Sequence, residues 1–252
     1  MKTTNQWITH FNENALQKRV NWDTKPHINQ KELRKILPSM QAWQLGETSE
    51  GTHLIAASQK YALKIGDPQY LMAVKLFIKE EQKHGNNLGK YLDKIGEPRI
   101  KQNWGDTLFR KIRYFNTNME LWTLAVLVVE STAQLFYQSL KNATCCKLLK
   151  EICTDILIDE AQHIHFQTER LTILYENKSP FSKRWRQPAY KLFFFLVSQL
   201  VWFAHSKLFK AGGLSYKKYN FKMVYKYNKT IKGIIKAPFI WQNPQVNLNY
   251  EY

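Results

Sequence analysis

Apolar residues recur at helical spacing through much of this chain, and residues typical of helix ends interrupt them. Within 68–95 the apolar positions follow a period of three to four residues: Leu71, Val74, Phe77 and Ile78. This segment is followed by Gly96 and Pro98, which are typical of a helix end. Comparable patterns predict further helices over 39–63, 119–140 and 145–176. The pattern therefore predicts an all-α fold built on four long helices.

Shorter helical segments are expected on either side of these four. Residues 1–38 are polar with scattered aromatic residues, and they predict short helices that pack across the others. Residues 178–252 predict a C-terminal helical extension that contains the apolar run LFFFLVSQLVWFA. A helix of that run is about 20 Å long, shorter than the roughly 30 Å hydrocarbon core of a membrane. We also expect an amphipathic piece over 107–115 and an irregular tail from Ala237.

The chain contains three Glu-x-x-His steps: one is Glu50 to His53, and the two strong ones lie on two other long helices. Glu81 lies three positions before His84, and Glu160 lies three positions before His163. Residues three apart lie on the same face of an α-helix, so each step directs a carboxylate and an imidazole toward the same point. Each step thus provides half of a metal site.

A further acid precedes each step at nearly the same distance along the chain. Glu50 lies before Glu81, and Glu130 lies before Glu160, with a predicted loop near the middle of each interval. A helix, a short loop and an antiparallel helix would return the chain to the same height over such an interval. Glu130 also lies in an almost wholly apolar segment, where an ionised carboxylate is costly unless it is paired or bound to a metal. We therefore expect four carboxylates and two histidines to converge.

This arrangement resembles the ferritin-like di-iron carboxylate superfamily, in which two helices each provide a Glu and two provide Glu-x-x-His. The resemblance covers 39–177 and implies a ferritin-like four-helix bundle with an N-terminal helical segment and a basic C-terminal extension. It implies two iron ions, or iron and manganese, with Glu81 and Glu160 as bridging ligands. The implied ligand set is Glu50, Glu81, His84, Glu130, Glu160 and His163.

Four further residues near these positions have roles that the sequence leaves open. Glu47 competes with Glu50 as a ligand, but the loop positions favour Glu50. His53 is either an extra ligand or a structural histidine. Glu80 and Asp159 resemble the carboxylates that hold the ligand histidines in oxygenase members of the superfamily. The alternative for these two acids is a solvated helix face.

The resemblance implies an O₂-dependent oxidase or oxygenase, which we expect to act on an apolar or lipid-like substrate with electrons from a separate reductase. One alternative is a peroxide-scavenging or iron-handling protein, and another is a membrane-peripheral or RNA-binding protein with a di-metal site. Leu88 occupies the position of the radical tyrosine of ribonucleotide reductase, so we do not expect a stored radical there. Gln134 occupies the position where many bacterial hydroxylases have threonine.

The cysteines and the N-terminus indicate a cellular location. Cys145, Cys146 and Cys153 lack the CxxC spacing of a rubredoxin-type iron site, and their odd number argues against a disulfide scaffold. The N-terminal residues contain no apolar run typical of a signal peptide. We expect a cytoplasmic protein, with peripheral contact at the inner face of the membrane as an alternative.

Charge is concentrated in the C-terminal extension. Residues 177–250 contain 14 Lys and Arg and no Asp or Glu, in a chain of net charge +17. Basic residues beside an apolar aromatic run are typical of a helix at an anionic membrane surface. A fifth helix packed on the bundle is an equal alternative, and nucleic-acid binding through SYKKYNFKMVYKYNKTIKG ranks lower. The basic residues that flank the apolar run are Lys183, Arg184, Arg186, Lys191, Lys207 and Lys210.

Overall fold

The computed structural model describes residues 1–105, 107, 118–176 and 178–236. The regular elements in these residues are all helical, which confirms the predicted fold class. They are α1 Thr4–Ala15, α2 Gln30–Glu47, α3 Thr52–Ile65, α4 Gln69–Lys94, α5 Met119–Ala143, α6 Lys147–Glu176, α7 Pro180–Ala211, α8 Tyr216–Tyr227, a π-helical turn Asn228–Lys232 and α9 Gly233–Lys236. Most of the segment expected at 107–115, and the tail expected from Ala237, lie outside the described residues.

The bundle is built around α5, the most apolar of the long helices. Its side chains Leu127, Val128, Phe136 and Tyr137 are completely buried. It packs along α6 on one side and against α7 on another, while α4 contacts α1, α2, α3 and α6. Because α4, α5 and α6 are each at least 25 residues long, their midpoints can meet inside the bundle, far from the helix ends.

The predicted continuous helix over 39–63 is wrong, because α2 and α3 are separate helices. α2 begins after Asn29, whose side chain accepts a hydrogen bond of 2.8 Å from the Glu32 backbone N–H and so caps the helix. Pro38 therefore lies inside α2, and the predicted division of the chain at residue 38 also falls inside this helix. The chain turns at Gly51, whose φ of +64° lies in the left-handed region that favours glycine.

The N-terminal helix α1 packs across α4, as expected for the first segment. Its start is capped by Thr3 and Gln6, which exchange reciprocal side-chain to backbone hydrogen bonds. Trp7 and Phe11 are buried, and the Trp7 indole N–H donates a 2.8 Å hydrogen bond to Glu169 on α6. α1 therefore joins α4 and α6 at one side of the bundle.

The C-terminal helix α7 packs on α5 through Phe194, Val197, Val201 and other apolar residues. Two of the described helices, α5 and α7, are long and apolar enough to cross a membrane by length and composition alone. In the most apolar window of α5, 78% is buried inside the protein, whereas the corresponding value for α7 is 39%. α5 is thus a core helix, while α7 packs with one face and leaves the other exposed.

Candidate metal centre

Acidic and imidazole side chains from α2, α4, α5 and α6 converge at the middle of the bundle. They form two groups, and within each group one ligand atom per residue lies within 4.8 Å of the others. One group is Glu47, Glu81, His84 and Glu160, and the other is Glu81, Glu130, Glu160 and His163. Glu81 and Glu160 belong to both groups, so the two groups share a boundary of two carboxylates.

The structure brings together five of the six predicted ligands, and Glu47 stands where Glu50 was expected. Glu50 is exposed in the turn between α2 and α3 and belongs to neither group. The choice of Glu50 assumed a continuous helix, and the break after Glu47 removes the basis for that choice. The Glu47 carboxylate accepts hydrogen bonds from the Trp43 indole, at 2.7 Å, and from the Tyr137 hydroxyl, at 2.8 Å.

Gly85 lets the end of α2 approach α4 closely enough for Glu47 to reach the group. A Cβ added to Gly85 would lie 2.7 Å from the Thr48 Cγ2 atom and 3.0 Å from the Thr48 backbone nitrogen. The sequence also left the role of His53 undecided. This residue is exposed in the first turn of α3 and lies outside both groups. Its position is on the wall of a neighbouring cavity.

Two acids hold the candidate ligand histidines, and they do so in a crossed arrangement. The His84 Nε2 atom lies 3.1 Å from Asp159 on α6, and the His163 Nε2 atom lies 2.7 Å from Glu80 on α4. Each acid directly precedes one Glu-x-x-His step but contacts the histidine of the other. With Nε2 engaged, the Nδ1 atom of each ring faces the carboxylates. This geometry agrees with the supporting role predicted for Glu80 and Asp159, which are buried rather than solvated.

A second layer of polar residues covers these two acids. Asn14 donates hydrogen bonds to Glu80 and to Asp159, the latter at 2.8 Å. Arg19 and Lys83 also donate to Asp159, at 2.9 and 2.8 Å. Burial alone would raise the pKa of the Asp159 carboxyl, but the hydrogen bonds from His84 and Lys83 hold it well below its usual range. Asp159 therefore stays ionised and accepts the proton of the His84 ring.

Several buried atoms of the two groups have no hydrogen-bond partner of normal geometry, although two of them, His163 Nδ1 and Glu81 Oε1, lie 2.6 Å apart. They are Glu81 Oε1, both carboxylate oxygens of Glu160, and the Nδ1 atoms of His84 and His163. Buried polar atoms are almost always paired in folded proteins, so this many unpaired atoms at one place need an explanation. Burial and the neighbouring negative charges raise the pKa of Glu47 and of Glu160 well above the usual value.

Two divalent cations fit this donor set. They would balance the charge of four carboxylates and would accept the unpaired oxygen and nitrogen atoms as ligands. A set of four carboxylates and two imidazoles suits iron or manganese, whereas zinc sites have fewer ligands and more nitrogen or sulfur. The residues present therefore fit the dinuclear centre that the sequence predicts.

A cavity of about 500 Å³ opens beside Glu47, Glu81 and Glu130. Most of its wall is apolar, and it lies between the bundle and the inner face of α7. The wall includes Trp43, Gly46, Phe77, Ile78, Trp122, Val129, Ala133, Leu200, Val201, Ala204 and His205. The candidate metal centre is thus open on one side to an apolar space large enough for a small organic molecule.

His205 is the imidazole on the α7 side of this cavity. Its backbone is non-helical, with φ −123° and ψ 17°, so α7 bends at this residue. The ring contacts Trp43 and Phe136, with centroid separations of 5.3 and 5.4 Å. Burial lowers the pKa of His205 to about 4, so the ring is neutral at neutral pH. Its Nδ1 atom has no hydrogen-bond partner.

The sequence did not indicate His205, Asn14 or Arg19. Each of them reaches the site from an element far away in the chain, and no short spacing connects them with the Glu-x-x-His steps. The only available signal was general: a histidine within an apolar helix is often buried.

Together, the helical architecture and the site define a ferritin-like helical bundle. Solved structures similar to the chain have this fold. One is a tyrosine-to-phenylalanine variant of an R2-like ligand-binding oxidase with an anaerobically reconstituted Mn/Fe cofactor. It has a TM-score of 0.62 and 12% sequence identity, over 90% of this chain and 92% of that chain.

Two further structures give the same result. An R2-like ligand-binding oxidase with an aerobically reconstituted Mn/Fe cofactor (long soak) has a TM-score of 0.58 and 12% identity, over 90% of both chains. A valine-to-leucine variant has a TM-score of 0.57 and 14% identity, over 92% of this chain and 91% of that chain. A scan of protein-family models and a search of curated protein sequences found no match. The structural likeness confirms the predicted ferritin-like fold.

Proposed function

We propose that the chain is a dinuclear metal oxidase that binds two iron ions, or one manganese and one iron, and reacts with O₂. The observation that carries this proposal is the pair of overlapping carboxylate and histidine groups with unpaired buried ligand atoms. The Mn/Fe cofactors of the similar solved structures support it. Such a centre, when loaded, supplies the binding and reduction of O₂.

The proposed ligands are Glu47, Glu81, His84, Glu130, Glu160 and His163. Glu81 and Glu160 are the proposed bridging ligands because they belong to both groups. Glu80 and Asp159 keep the Nε2 atom of each ring occupied, so that Nδ1 is the atom available to a metal. Trp43 and Tyr137 fix the Glu47 carboxylate through the two hydrogen bonds that it accepts.

The proposed substrate is an apolar or lipid-like molecule that enters the cavity beside the metal centre. The apolar part of the wall supports this substrate class, since a cavity with a larger apolar than polar surface favours a mainly apolar ligand. The similar structures are described as ligand-binding oxidases. If the reaction inserts one oxygen atom of O₂ into the substrate and releases the other as water, it needs two electrons and two protons beyond the electron pair that the substrate provides. A separate reductase is therefore part of the proposal.

Gly46 provides a direct test of the cavity. It lies on the cavity wall, and a Cβ added there would have no atom within 4 Å. Gly46→Phe should fill the cavity without a clash at the backbone, whereas Gly46→Ala adds a single methyl group and serves as the matched control. The assay is O₂ consumption by metal-loaded, chemically reduced protein with a series of fatty acids and long-chain alcohols.

We expect substrate-dependent O₂ consumption in the wild type and in Gly46→Ala, and its loss in Gly46→Phe with the metal content retained. O₂ consumption that no added substrate changes would contradict the oxidase proposal. In that case, rapid turnover of hydrogen peroxide without any organic substrate would support the alternative of a peroxide-scavenging or iron-handling protein.

A further inference from the structure

The outer face of α7 carries a row of large apolar residues. Five of them point away from the bundle, and their exposed fractions are 61% to 75%: Phe181, Trp185, Leu192, Leu196 and Phe203. At 100° per residue these positions fall within a sector of about 60° on one side of the helix. The opposite side includes Val197 and Val201, which are buried against the core. α7 thus has an apolar face on both sides.

The neighbouring helix α8 also carries exposed aromatic side chains. Phe221 is 75% exposed and Tyr225 is 58% exposed. Gln199 of α7 joins the two helices, because it accepts a 2.6 Å hydrogen bond from the Tyr216 hydroxyl and donates a 2.7 Å hydrogen bond to Asn220. We call the exposed side chains of Phe181, Trp185, Leu192, Leu196, Phe203, Phe221 and Tyr225 the outer apolar face.

Basic side chains surround the outer apolar face. The described residues 178–236 contain 14 Lys and Arg and no Asp or Glu. Arg186 and Lys178 are used inside the protein, because both pair with Glu120 on α5. The exposed basic residues include Arg184, Lys191, Lys207, Lys210, Lys218 and Lys222. The surface therefore combines apolar and aromatic side chains with strong positive charge.

We propose that the outer apolar face docks on an anionic lipid bilayer, with α7 and α8 lying in the plane of the interface. A patch of several large, exposed apolar side chains on a protein surface usually marks an interaction site. A bilayer with anionic headgroups matches both features, since it takes up apolar side chains at the acyl boundary and attracts lysine and arginine around them. This inference does not depend on the proposed function.

Other occupants fit the surface less well. A second copy of the chain would bring the basic residues of two identical faces together, and this like-charge contact opposes association. Single-stranded nucleic acid would contact the basic and aromatic residues, but its binding does not require exposed aliphatic side chains such as Leu192 and Leu196. A membrane-crossing α7 would have to remove Val197, Val201 and their neighbours from the core of the bundle.

Docking would also bring the bilayer close to the cavity. Leu200, Val201, Ala204 and His205 line the cavity on the inner side of α7. Leu196 and Phe203 lie on the outer side of the same helix, about one helix diameter, or 10 Å, away. A lipid-like molecule would then have to pass only around α7 to reach the cavity.

The test is binding of the full-length, metal-loaded protein to vesicles, measured by co-sedimentation. Vesicles of phosphatidylcholine alone are compared with vesicles that contain phosphatidylglycerol. We expect binding only to the anionic vesicles, with weaker binding as the salt concentration rises. Two variants separate the contributions: Leu192→Ser with Phe203→Ser for the apolar face, and Lys207→Glu with Lys210→Glu for the charge. Leu63→Ser, at an exposed position on α3, is the matched control.

Each double variant should bind anionic vesicles at least about tenfold more weakly, while metal content and melting temperature stay unchanged. The Leu63→Ser control should bind like the wild type. Unchanged vesicle binding in both double variants would overturn the proposal. So would binding to single-stranded RNA without binding to vesicles, or a dimer in solution that the same substitutions dissociate while vesicles are not bound.

Discussion

Each candidate ligand histidine contacts an acid through its Nε2 atom, on the side away from the site. That acid directly precedes the Glu-x-x-His step of the other helix. His84 contacts Asp159, and His163 contacts Glu80, so α4 and α6 orient each other's imidazole rings. The sequence could predict that these acids lie near the histidines, because a residue next to a helical ligand has a limited range of positions. It could not predict the crossing, since that depends on how α4 and α6 pack.

Asp159→Asn should weaken metal binding without unfolding the protein. The amide keeps the size of the side chain but removes the charge that orients the His84 ring, and such changes typically cost about 10-fold to 100-fold in metal affinity. Glu176→Gln, an exposed acid at the end of the same helix, is the control. Competition with a metal chelator measures the affinity. Equal affinities in Asp159→Asn and Glu176→Gln would show that Asp159 has no positioning role.

His205 should make the protein sensitive to acid. Burial lowers its pKa to about 4, from an ordinary value of 6.5. The unfolded chain therefore binds a proton at His205 as the pH falls below 6.5, while the folded chain does not. Protonation of the unfolded chain therefore lowers the free energy of unfolding as the pH falls from 6.5 toward 4, and it has no effect well above pH 6.5.

His205→Phe keeps a ring of similar size and removes this titration. Between pH 7.5 and pH 5 the free energy of unfolding of the wild type should fall more than that of His205→Phe, as measured by urea denaturation. The exposed His27→Phe is the control and should follow the wild type. A parallel pH dependence in wild type and His205→Phe would contradict a half-buried ring that stays neutral in the folded protein.

At the scale of elements, the break between α2 and α3 decides which acid joins the site. The Glu-x-x-His steps were predictable because the spacing of i and i+3 is fixed by the helix itself. Glu130 was predictable because it lies in the middle of an almost wholly apolar segment, where an ionised carboxylate is costly unless it is paired or bound to a metal. The choice between Glu47 and Glu50 was not, because it depends on where a helix ends. Gly51, with its positive φ, and the nearby Gly46 were the available signals for that end.

Gly85→Ala should push the end of α2 away from α4 and so weaken the metal site. The new methyl group would lie 3.0 Å from the Thr48 backbone nitrogen, so the end of α2, with Glu47, must move away. Overpacking of this kind typically costs about 1–3 kcal/mol. Gly89→Ala, one turn further along α4, meets only the flexible end of the Arg99 side chain and is the matched control. Thermal unfolding and metal content are the measurements.

We expect lower stability and weaker metal binding in Gly85→Ala, with little change in Gly89→Ala. If both alanine variants bound metal like the wild type, Gly85 would not be responsible for the close approach of α2 to α4.

At the scale of the whole molecule, one buried acid on the bundle pairs with three residues of the C-terminal extension, in addition to the apolar packing of α7 on α5. Glu120 on α5 accepts a hydrogen bond of 2.6 Å from Arg186 and lies 2.9 Å from the Lys178 ammonium. The Tyr190 hydroxyl also donates to it. The sequence predicted a basic extension, but it could not pair Arg186 with an acid on a distant helix. Packing of α7 on the bundle accounts for its inner face, and docking on a membrane remains a proposal for its outer face.

Glu120→Gln should loosen the extension. Burial alone would raise the pKa of the Glu120 carboxyl, but Arg186, Tyr190 and Lys178 together lower it. The stabilisation is therefore present above the ordinary glutamate pKa and is lost as the pH falls through the lowered value. At pH 7 the variant should lose about 2–4 kcal/mol of unfolding free energy, because it leaves basic partners unpaired.

Urea denaturation at pH 7 and pH 4 measures this effect, with the exposed Glu13→Gln as the control. The difference between wild type and Glu120→Gln should be smaller at pH 4. A Glu120→Gln protein as stable as Glu13→Gln at pH 7 would contradict the role of Glu120 in joining the extension to the bundle.

The most direct test of the central claim is the metal content of the wild type, Glu47→Ala and Glu50→Ala after expression with iron and manganese supplied. We predict about two metal ions per chain in the wild type and in Glu50→Ala, and a clear loss in Glu47→Ala. A wild type without bound iron or manganese under these conditions would contradict the dinuclear centre. Loss of metal in Glu50→Ala but not in Glu47→Ala would contradict the assignment of its ligands.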